Sequence, residues 1–297
     1  MQPRCETILN ANQEYRPEEK KRLLWCIGIT GFMMVAEILG GLWTGSLALL
    51  SDAGHMFSHL FSLFVSYGAI WLVTRGPDEQ RSFGFYRAEI LAALFNGITL
   101  IVIVIAIFYA AIQRFFNPSE IATTEMMWIA IAGLIVNLTT AWILKKVSQE
   151  DINVRSAFLH MLGDTASSVG VIVVAWMIQK TGKTWLDPVA SILIAIVIAI
   201  WSIGLIRDSI HILLEAAPKH LSSNEICKVL RETIPQILEV HHVHIWTLTS
   251  GICSLTAHIV LEDLPLRKTE EIRTSINKLL SERFQICHTN LQFECKE

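Results

Sequence analysis

Two polar pairs with the same spacing interrupt long apolar stretches of the sequence. His55 and His59 are four residues apart, and so are His160 and Asp164. In an α-helix this spacing puts both side chains of a pair on one face, one turn apart. Two such faces opposed to each other would offer four nitrogen and oxygen ligands, the number that a tetrahedral Zn²⁺ site needs. The sequence therefore predicts that these four residues bind a metal ion.

Two other interpretations of the pairs remain open at this point. Polar residues within apolar helices often serve as hydrogen-bonding contacts between helices. An intramembrane zinc protease would need a glutamate directly after the first histidine, and Met56 follows His55. The second pair matches the first in its spacing, which favours metal binding.

Among the other polar residues in the apolar stretches, we single out four. Asp52 precedes His55 by three residues, so it can attract cations, compensate the charge of a metal ion or cap a helix. Glu37, Asn96 and Asn137 are typical of hydrogen-bonding residues between membrane helices.

The composition indicates the elements that must position these residues. Of 297 residues, 52% are hydrophobic and 17% are charged, whereas soluble domains carry about 25% charged residues. The mean hydropathy is +0.46, which excludes a disordered chain and an ordinary soluble enzyme and predicts a multi-span membrane protein. The net charge of −3 gives no basic excess for nucleic acid binding. The six cysteines form no CxxC pair and are expected to be free thiols.

Six apolar segments are long enough to cross a bilayer as helices. They are 23–43, 46–73, 90–113, 126–144, 157–178 and 186–206. The N-terminal tail and the loops 74–89 and 145–156 hold eleven Lys and Arg residues, against three in the other loops. Because basic loops stay in the cytoplasm, both termini are predicted to be cytoplasmic.

The composition changes after Pro218, where nine basic and ten acidic residues accompany short patterns. We predict helices at 222–234 and 269–284 and strands at 240–248, 253–261 and 290–295. The predicted domains are thus a tail at 1–22, a six-helix membrane domain at 23–215 and a C-terminal α+β domain of order αββαβ at 216–297. A domain of this size buries a limited core, so dimerisation would help it.

Four stretches resemble the cation diffusion facilitator family, in its zinc and cobalt–zinc–cadmium resistance branch. They are SLALLSDAGH at 46–55, SFGFYRAEIL at 82–91, NVRSAFLHMLGD at 153–164 and HIWTLTSG at 244–251. The resemblance covers the chain from about residue 23 to its end. It implies a cytoplasmic metallochaperone-like domain, a homodimer, and export of a divalent metal from the cytoplasm in exchange for protons.

His59 departs from the family pattern, in which an aspartate usually occupies this position. The quartet then has three histidines and one aspartate, so bound Zn²⁺ leaves a net charge of +1, which is costly to bury unless another acid compensates it. Imidazole is a softer ligand than carboxylate, so the change disfavours Mg²⁺, Ca²⁺ and Mn²⁺.

The resemblance also implies a metal site in the cytoplasmic domain. The candidates are His241, His258 and Glu294, with His244 and His288 nearby; they can also be surface residues of a small sheet. A basic–acidic pair near the dimer axis of relatives suggests that Arg87 pairs with Glu215. The loops 75–87 and 145–156 contain no histidine, so we expect neither the additional loop site of some members nor a histidine-rich loop, which favours a bacterial cytoplasmic membrane protein.

The predicted function is a Zn²⁺/H⁺ antiporter in the lipid bilayer, not an enzyme, with zinc as its substrate and as an ion of the cytoplasmic domain. The alternatives are export of Co²⁺, Ni²⁺, Cd²⁺ or Fe²⁺ by the same fold, and a membrane metal sensor. A nucleotide-binding loop of the GxxxxGK[ST] type is missing, so an ATP-driven pump is not expected.

Overall fold

The structure is a computed structural model that describes residues 17–73, 79–81, 83–145, 152–249 and 252–296. Within these ranges, the side chains of 17–24, 26, 58–59, 62–63, 65–73, 141, 143–145, 152–164, 166 and 287 lie outside the described part. The chain forms two compact units. One contains Arg16–Gly68 and Ala92–Ile206; the other contains Ala69–Leu91 and Arg207–Glu297, together with Met1–Tyr15, which is not described.

Long helices account for most of the described residues before 214. They are α1 (Pro17–Thr44), α2 (Leu47–Val73), α3 (Tyr86–Phe116), α4 (Thr123–Lys145), α5 (Ile152–Thr181) and α6 (Leu186–Leu213). Each corresponds to one predicted span. In the described part, α1, α3, α4 and α6 hold segments long and apolar enough to cross a membrane, and α5 holds a shorter apolar segment, Ser167–Thr181.

Glycines allow two helix pairs to approach closely. A Cβ atom added to Gly40 of α1 would lie 2.4 Å from Ile129 Cδ1 of α4. One added to Gly97 of α3 would lie 2.7 Å from Ile206 Cγ1 of α6. Small residues of this kind bring helix backbones together where lipid offers no hydrophobic driving force.

Large apolar side chains cover the outside of the helical unit. Phe32, Trp43, Val102, Trp128 and Leu193 are all exposed. A water-soluble protein rarely exposes an apolar surface of this extent. These side chains are suited to contact the hydrocarbon of a bilayer.

The second unit ends in a small α+β domain. It consists of α7 (Ser223–Thr233), β1 (Ile237–Thr249), β2 (Ile252–Leu261), α8 (Leu266–Phe284) and β3 (Ile286–Cys295). The strand order is β1-β2-β3, with β1 antiparallel and β3 parallel to β2. The element order is the predicted αββαβ. However, β3 begins four residues before its predicted start, because Ile286 is itself a fully buried core residue.

The core of this domain lies on one face of the sheet. Alternate residues of β2 are buried there, including Leu255 and Ile259, and they cluster with Leu230 of α7 and Leu280 of α8. Because strand side chains alternate between faces, His258 is on the opposite face. The sheet therefore has one face packed against helices and another that carries polar residues.

Candidate metal sites

The predicted intramembrane quartet is divided between α2 and α5. His55 and His59 lie on α2, and His160 and Asp164 lie on α5, all in helical backbone. The side chains of His59, His160 and Asp164 lie outside the described part of the chain. The His55 side chain is buried, 7% exposed, and its ring centroid lies 5.6 Å from that of Trp201 of α6.

Asp52 joins α2 to α5 near this quartet. Its carboxylate accepts hydrogen bonds from Ser167 Oγ at 2.5 Å and from Ser168 Oγ at 3.2 Å. Asn137 Nδ2 of α4 donates to Ser168 Oγ at 3.2 Å, so Asn137 makes an interhelical hydrogen bond of the kind expected from the sequence. Asp52 is 2% exposed, and this buried network holds three helices together.

A second buried carboxylate, which the sequence analysis missed, lies at the start of α6. Asp187 accepts from Ser46 Oγ at 2.6 Å, from Leu47 N at 2.9 Å and from Ala48 N at 3.2 Å. Arg114 Nη1 of α3 lies 3.5 Å from the same carboxylate. The aspartate before a proline in the first turn of a helix was the only local signal, and it does not reveal a partner 140 residues away.

Three of the predicted cytoplasmic candidates meet on the polar face of the sheet. Glu294 Oε1 lies 2.7 Å from His258 Nδ1, and Glu294 Oε2 lies 3.1 Å from His241 Nε2. His241 and His258 are register partners on β1 and β2. A carboxylate between two imidazoles is an arrangement that suits a divalent transition metal.

His242 joins this cluster, although the sequence analysis did not select it. The ligand atoms of His241, His242 and His258 lie within 4.8 Å of one another. His242 has a left-handed backbone conformation with φ +48°, and the register shifts between His241 and His244. This β-bulge turns two consecutive histidines toward one group, whereas regular alternation would send them to opposite faces.

The other two predicted candidates lie apart from that group. His244 pairs with Thr256 on β2 and lines a cavity of about 730 Å³ together with Trp246. His288 is exposed, and its ring centroid lies 5.4 Å from that of Phe83. Among the described residues the cluster thus consists of His241, His242, His258 and Glu294.

The proposed charge pair at the start of α3 is formed. Arg87 Nη2 lies 2.6 Å from Glu215 Oε1. Nearby, Thr249 Oγ1 donates to Glu89 Oε2 at 2.6 Å. The first turn of α3 is therefore hydrogen-bonded both to the segment that follows α6 and to the end of β1.

Burial affects two thiols of the C-terminal domain. It raises the pKa of Cys227 and that of Cys253. Because the thiolate is the metal ligand, a raised pKa makes either cysteine a poor competitor for a metal ion near neutral pH.

Comparison with known proteins covers both parts of the chain. The family model described as the cation efflux transmembrane domain matches residues 23–214, and that described as the cation efflux protein, cytoplasmic domain, matches 218–295. A cadmium, cobalt and zinc/H⁺-K⁺ antiporter of Bacillus subtilis is 41% identical over 95% of this chain and 91% of its own. The zinc transporter ZitB of Pectobacterium atrosepticum is 41% identical over 92% of this chain and 85% of its own.

One solved structure is similar to the C-terminal part. It is the metal-bound C-terminal domain of the CzcD transporter from Cupriavidus metallidurans, with 34% sequence identity. The match covers 25% of this chain and 99% of that one, with a TM-score of 0.23.

Proposed function

Because the chain belongs to the cation efflux family, a family of multi-pass membrane transporters of divalent metals, we propose that it exports Zn²⁺ from the cytoplasm in exchange for protons. The proposed intramembrane ligands are His55, His59, His160 and Asp164. The site would face each side of the membrane in turn, in a bacterial cytoplasmic membrane with both termini in the cytoplasm. The corresponding domains would be 1–22, 23–215 and 216–297.

The observation that carries this site is the pair of hydrogen bonds between Asp52 and the two serines of α5. Successive spans cross the membrane in opposite directions. Because α2 and α5 are the second and fifth spans, an odd number of crossings apart, they run antiparallel. Moving three residues along α2 from Asp52 leads to His55, and moving four back along α5 from Ser168 leads to Asp164. With a rise of about 1.5 Å per residue, these two positions are at similar depth.

The second members of the pairs follow the same register. A further four residues lead to His59 on α2 and to His160 on α5. An i, i+4 step keeps each on the helix face of its partner. The contacts of Asp52 therefore support two ligand pairs on facing helices at matching depths.

The ligand set supports Zn²⁺ over harder cations. Three imidazoles and one carboxylate suit zinc and its transition-metal neighbours, whereas Mg²⁺ and Ca²⁺ prefer oxygen ligands. The net charge of +1 that remains on bound Zn²⁺ needs a nearby acid. Asp52 is buried one turn from His55, and we propose that it supplies this charge.

Protons and metal would compete for the same ligands. Metal binding requires neutral histidines and an ionised aspartate, so it releases protons. When the site faces an acidic exterior, protonation of the ligands would displace Zn²⁺. Free histidine titrates near 6.5, which suits exchange between a neutral cytoplasm and a more acidic outside.

We also propose that the cytoplasmic domain binds a divalent metal through His241, His242, His258 and Glu294, and that the protein works as a homodimer. Glu294 hydrogen-bonds or pairs with two of the three histidines, so the group is gathered before a metal arrives. A bound ion would replace these contacts by coordination and fix β1 to β3.

Cadmium or cobalt export is a second candidate function. The named Bacillus subtilis relative is a cadmium, cobalt and zinc antiporter, and three imidazoles also suit Co²⁺. The same name includes K⁺. Gradients of K⁺ and of protons must therefore be imposed separately in any test of coupling.

Reconstituted vesicles test the proposal directly. Zn²⁺ flux is measured with an imposed pH gradient, then with an imposed K⁺ gradient, in the unmodified chain, His55→Ala and His59→Asp. His220→Ala is the matched control, since it removes an exposed histidine outside the membrane helices. The proposal expects pH-driven flux that His55→Ala abolishes and His220→Ala preserves. Flux that ignores the pH gradient removes the proton coupling, and flux unchanged in His55→Ala removes the intramembrane site.

A further inference from the structure

The first turn of α2 is bound by a carboxylate from a distant helix. The amide groups of Leu47 and Ala48 both donate to Asp187 of α6. Ser46 Oγ also donates to Asp187, and it accepts a hydrogen bond from Leu49 N at 3.2 Å. Ser46 and Asp187 thus accept hydrogen bonds from the first three amides of α2, which have no acceptor within their own helix.

A third helix holds the carboxylate in place. Arg114 of α3 lies 3.5 Å from Asp187, and Arg114 Nη1 also donates to the carbonyl oxygen of Gly45. Asp187 is fully buried, and Arg114 is mostly buried. Four donors from two other parts of the fold therefore converge on one side chain.

This arrangement is more than a local cap. An unsatisfied amide is costly where water is scarce, and a negative charge is favourable at a helix N-terminus, so α2 has a strong preference for one axial position relative to α6. A capping residue that belongs to the same helix does not have this effect, because its acceptor moves together with the helix. Asp187 instead fixes α2 to a neighbour.

The fixed helix carries two of the proposed metal ligands. His55 lies eight residues after Leu47, about 12 Å along the axis of a continuous helix. Sliding or rotation of the first turn is therefore transmitted to His55 and His59. Metal–ligand distances tolerate only a few tenths of an ångström of error, so a small displacement weakens the site.

We propose that Asp187 is a positioning residue for metal transport: by holding the first turn of α2 against α6 and α3, it sets the register of the α2 ligands against those of α5. This inference rests on the proposed intramembrane site. It adds a distant specificity determinant, because a site held in strict register discriminates between ions of different size. Cd²⁺, which is larger than Zn²⁺, would suffer less from a loosened site.

The test compares Asp187→Asn with the unmodified chain in vesicles under a fixed pH gradient. Asn keeps the size of the side chain but loses the charge and offers an amide NH₂ where α2 presents donors. We expect the KM for Zn²⁺ to rise about tenfold, the low end of the effect of changing groups that orient metal ligands. The maximal rate per folded protein stays within about twofold, and the KM for Cd²⁺ rises less than that for Zn²⁺.

Two further variants keep the test decisive if Asp187→Asn does not fold. Ser46→Ala removes one donor, and Arg114→Gln removes the cation; each should raise the KM for Zn²⁺ in the same direction and by a smaller factor. Lys183→Gln is the matched control, because it removes an exposed charge from the segment just before α6 and should leave both constants unchanged.

The outcomes separate this inference from the site on which it rests. One outcome is that His55→Ala loses flux, while the folded variants among Asp187→Asn, Ser46→Ala and Arg114→Gln keep the KM for Zn²⁺ and the Zn²⁺/Cd²⁺ preference of the unmodified chain. Asp187 is then structural only, and the inference is wrong. If His55→Ala transports normally, the proposed site itself fails.

Discussion

Replacing Asp52 by asparagine tests whether this buried acid balances the charge of the transported ion. The substitution preserves the shape of the side chain and one acceptor oxygen, while it removes the negative charge. Asp52 is 2% exposed and accepts from the hydroxyl groups of Ser167 and Ser168. The substitution is therefore expected to weaken these hydrogen bonds, and to lower transport somewhat, whichever residue occupies position 59.

The electrostatic effect can be estimated separately. Zn²⁺ bound by three neutral histidines and one ionised aspartate carries a net charge of +1. Asp52 precedes His55 by one turn, which corresponds to roughly 7 Å between its carboxylate and the ion. At an effective dielectric constant of about 20, one charge acting on another at that distance contributes about 2.4 kcal/mol. This corresponds to about 50-fold in zinc affinity.

A double-mutant cycle isolates this contribution. His59→Asp adds a second carboxylate to the quartet. In the proposed exchange Zn²⁺ displaces one proton from each ligand carboxylate, so binding changes the charge of the site by +1 in the unmodified chain and by zero in His59→Asp. Asp52 then contributes no net attraction to the ion in the His59→Asp chain. We expect Asp52→Asn to raise the KM for Zn²⁺ about 50-fold in the unmodified chain. In the His59→Asp background, Asp52→Asn should raise the KM for Zn²⁺ by only about twofold. A difference of this size lies within the deviation from additivity that independent substitutions usually show.

The assay is vesicle flux at fixed pH gradient, with the melting temperature of each variant measured beside it. Hydrogen-bond and packing losses affect both backgrounds equally, so they cancel in the cycle. An equal rise of KM in the two backgrounds would refute the reasoning, because Asp52 would then serve only to join α2 to α5.

Three further predictions concern the unit that contains Ala69–Leu91 and Arg207–Glu297. His242→Ala should lower the increase in melting temperature that added Zn²⁺ produces, whereas His244→Ala, a histidine outside the cluster, should not; equal effects would count against the four-residue group. Reversing Arg87 or Glu215 alone should lower transport, and the double reversal should restore it toward the original rate, because the pair at 2.6 Å is formed again with opposite polarity. Burial raises the pKa of Cys253, so less of its thiolate is present at pH 8. Alkylation of Cys253 at pH 8 should therefore be slower than that of a cysteine in an unstructured peptide, and the difference in rate should shrink as the pH rises.

Long periodic segments made the architecture predictable. Each apolar run of about 20 residues corresponds to one helix, and the family matches over 23–214 and 218–295 confirm the predicted fold class. The i, i+4 spacing predicts His55, His59, His160 and Asp164 as one ligand set, because helix geometry fixes which positions share a face, and this set stays a prediction. The matching depth of the two proposed ligand pairs could not be inferred from spacing alone, because that inference depends on the contacts of Asp52 with α5.

The residues that sequence reasoning missed depend on non-local geometry. His242 was not among the candidates, because regular alternation along a strand would place it on the face opposite His241, whereas a β-bulge with a left-handed residue brings both to one group. The proline after Asp187 is the only local signal around it, and the role proposed for Asp187 rests on four donors contributed by two distant segments. The early start of β3 was missed because polar residues follow Ile286, although that isoleucine is fully buried in the core.

The bulge at His242 has a consequence for the solubility of the C-terminal domain. β1 is an edge strand in the order β1-β2-β3, and a long regular edge strand offers unpaired amide and carbonyl groups to the strands of other molecules. A left-handed residue in the middle of β1 breaks that repeating pattern and twists the strand locally. The same residue that brings a third imidazole to the cluster therefore also disfavours the growth of a continuous intermolecular sheet from this edge.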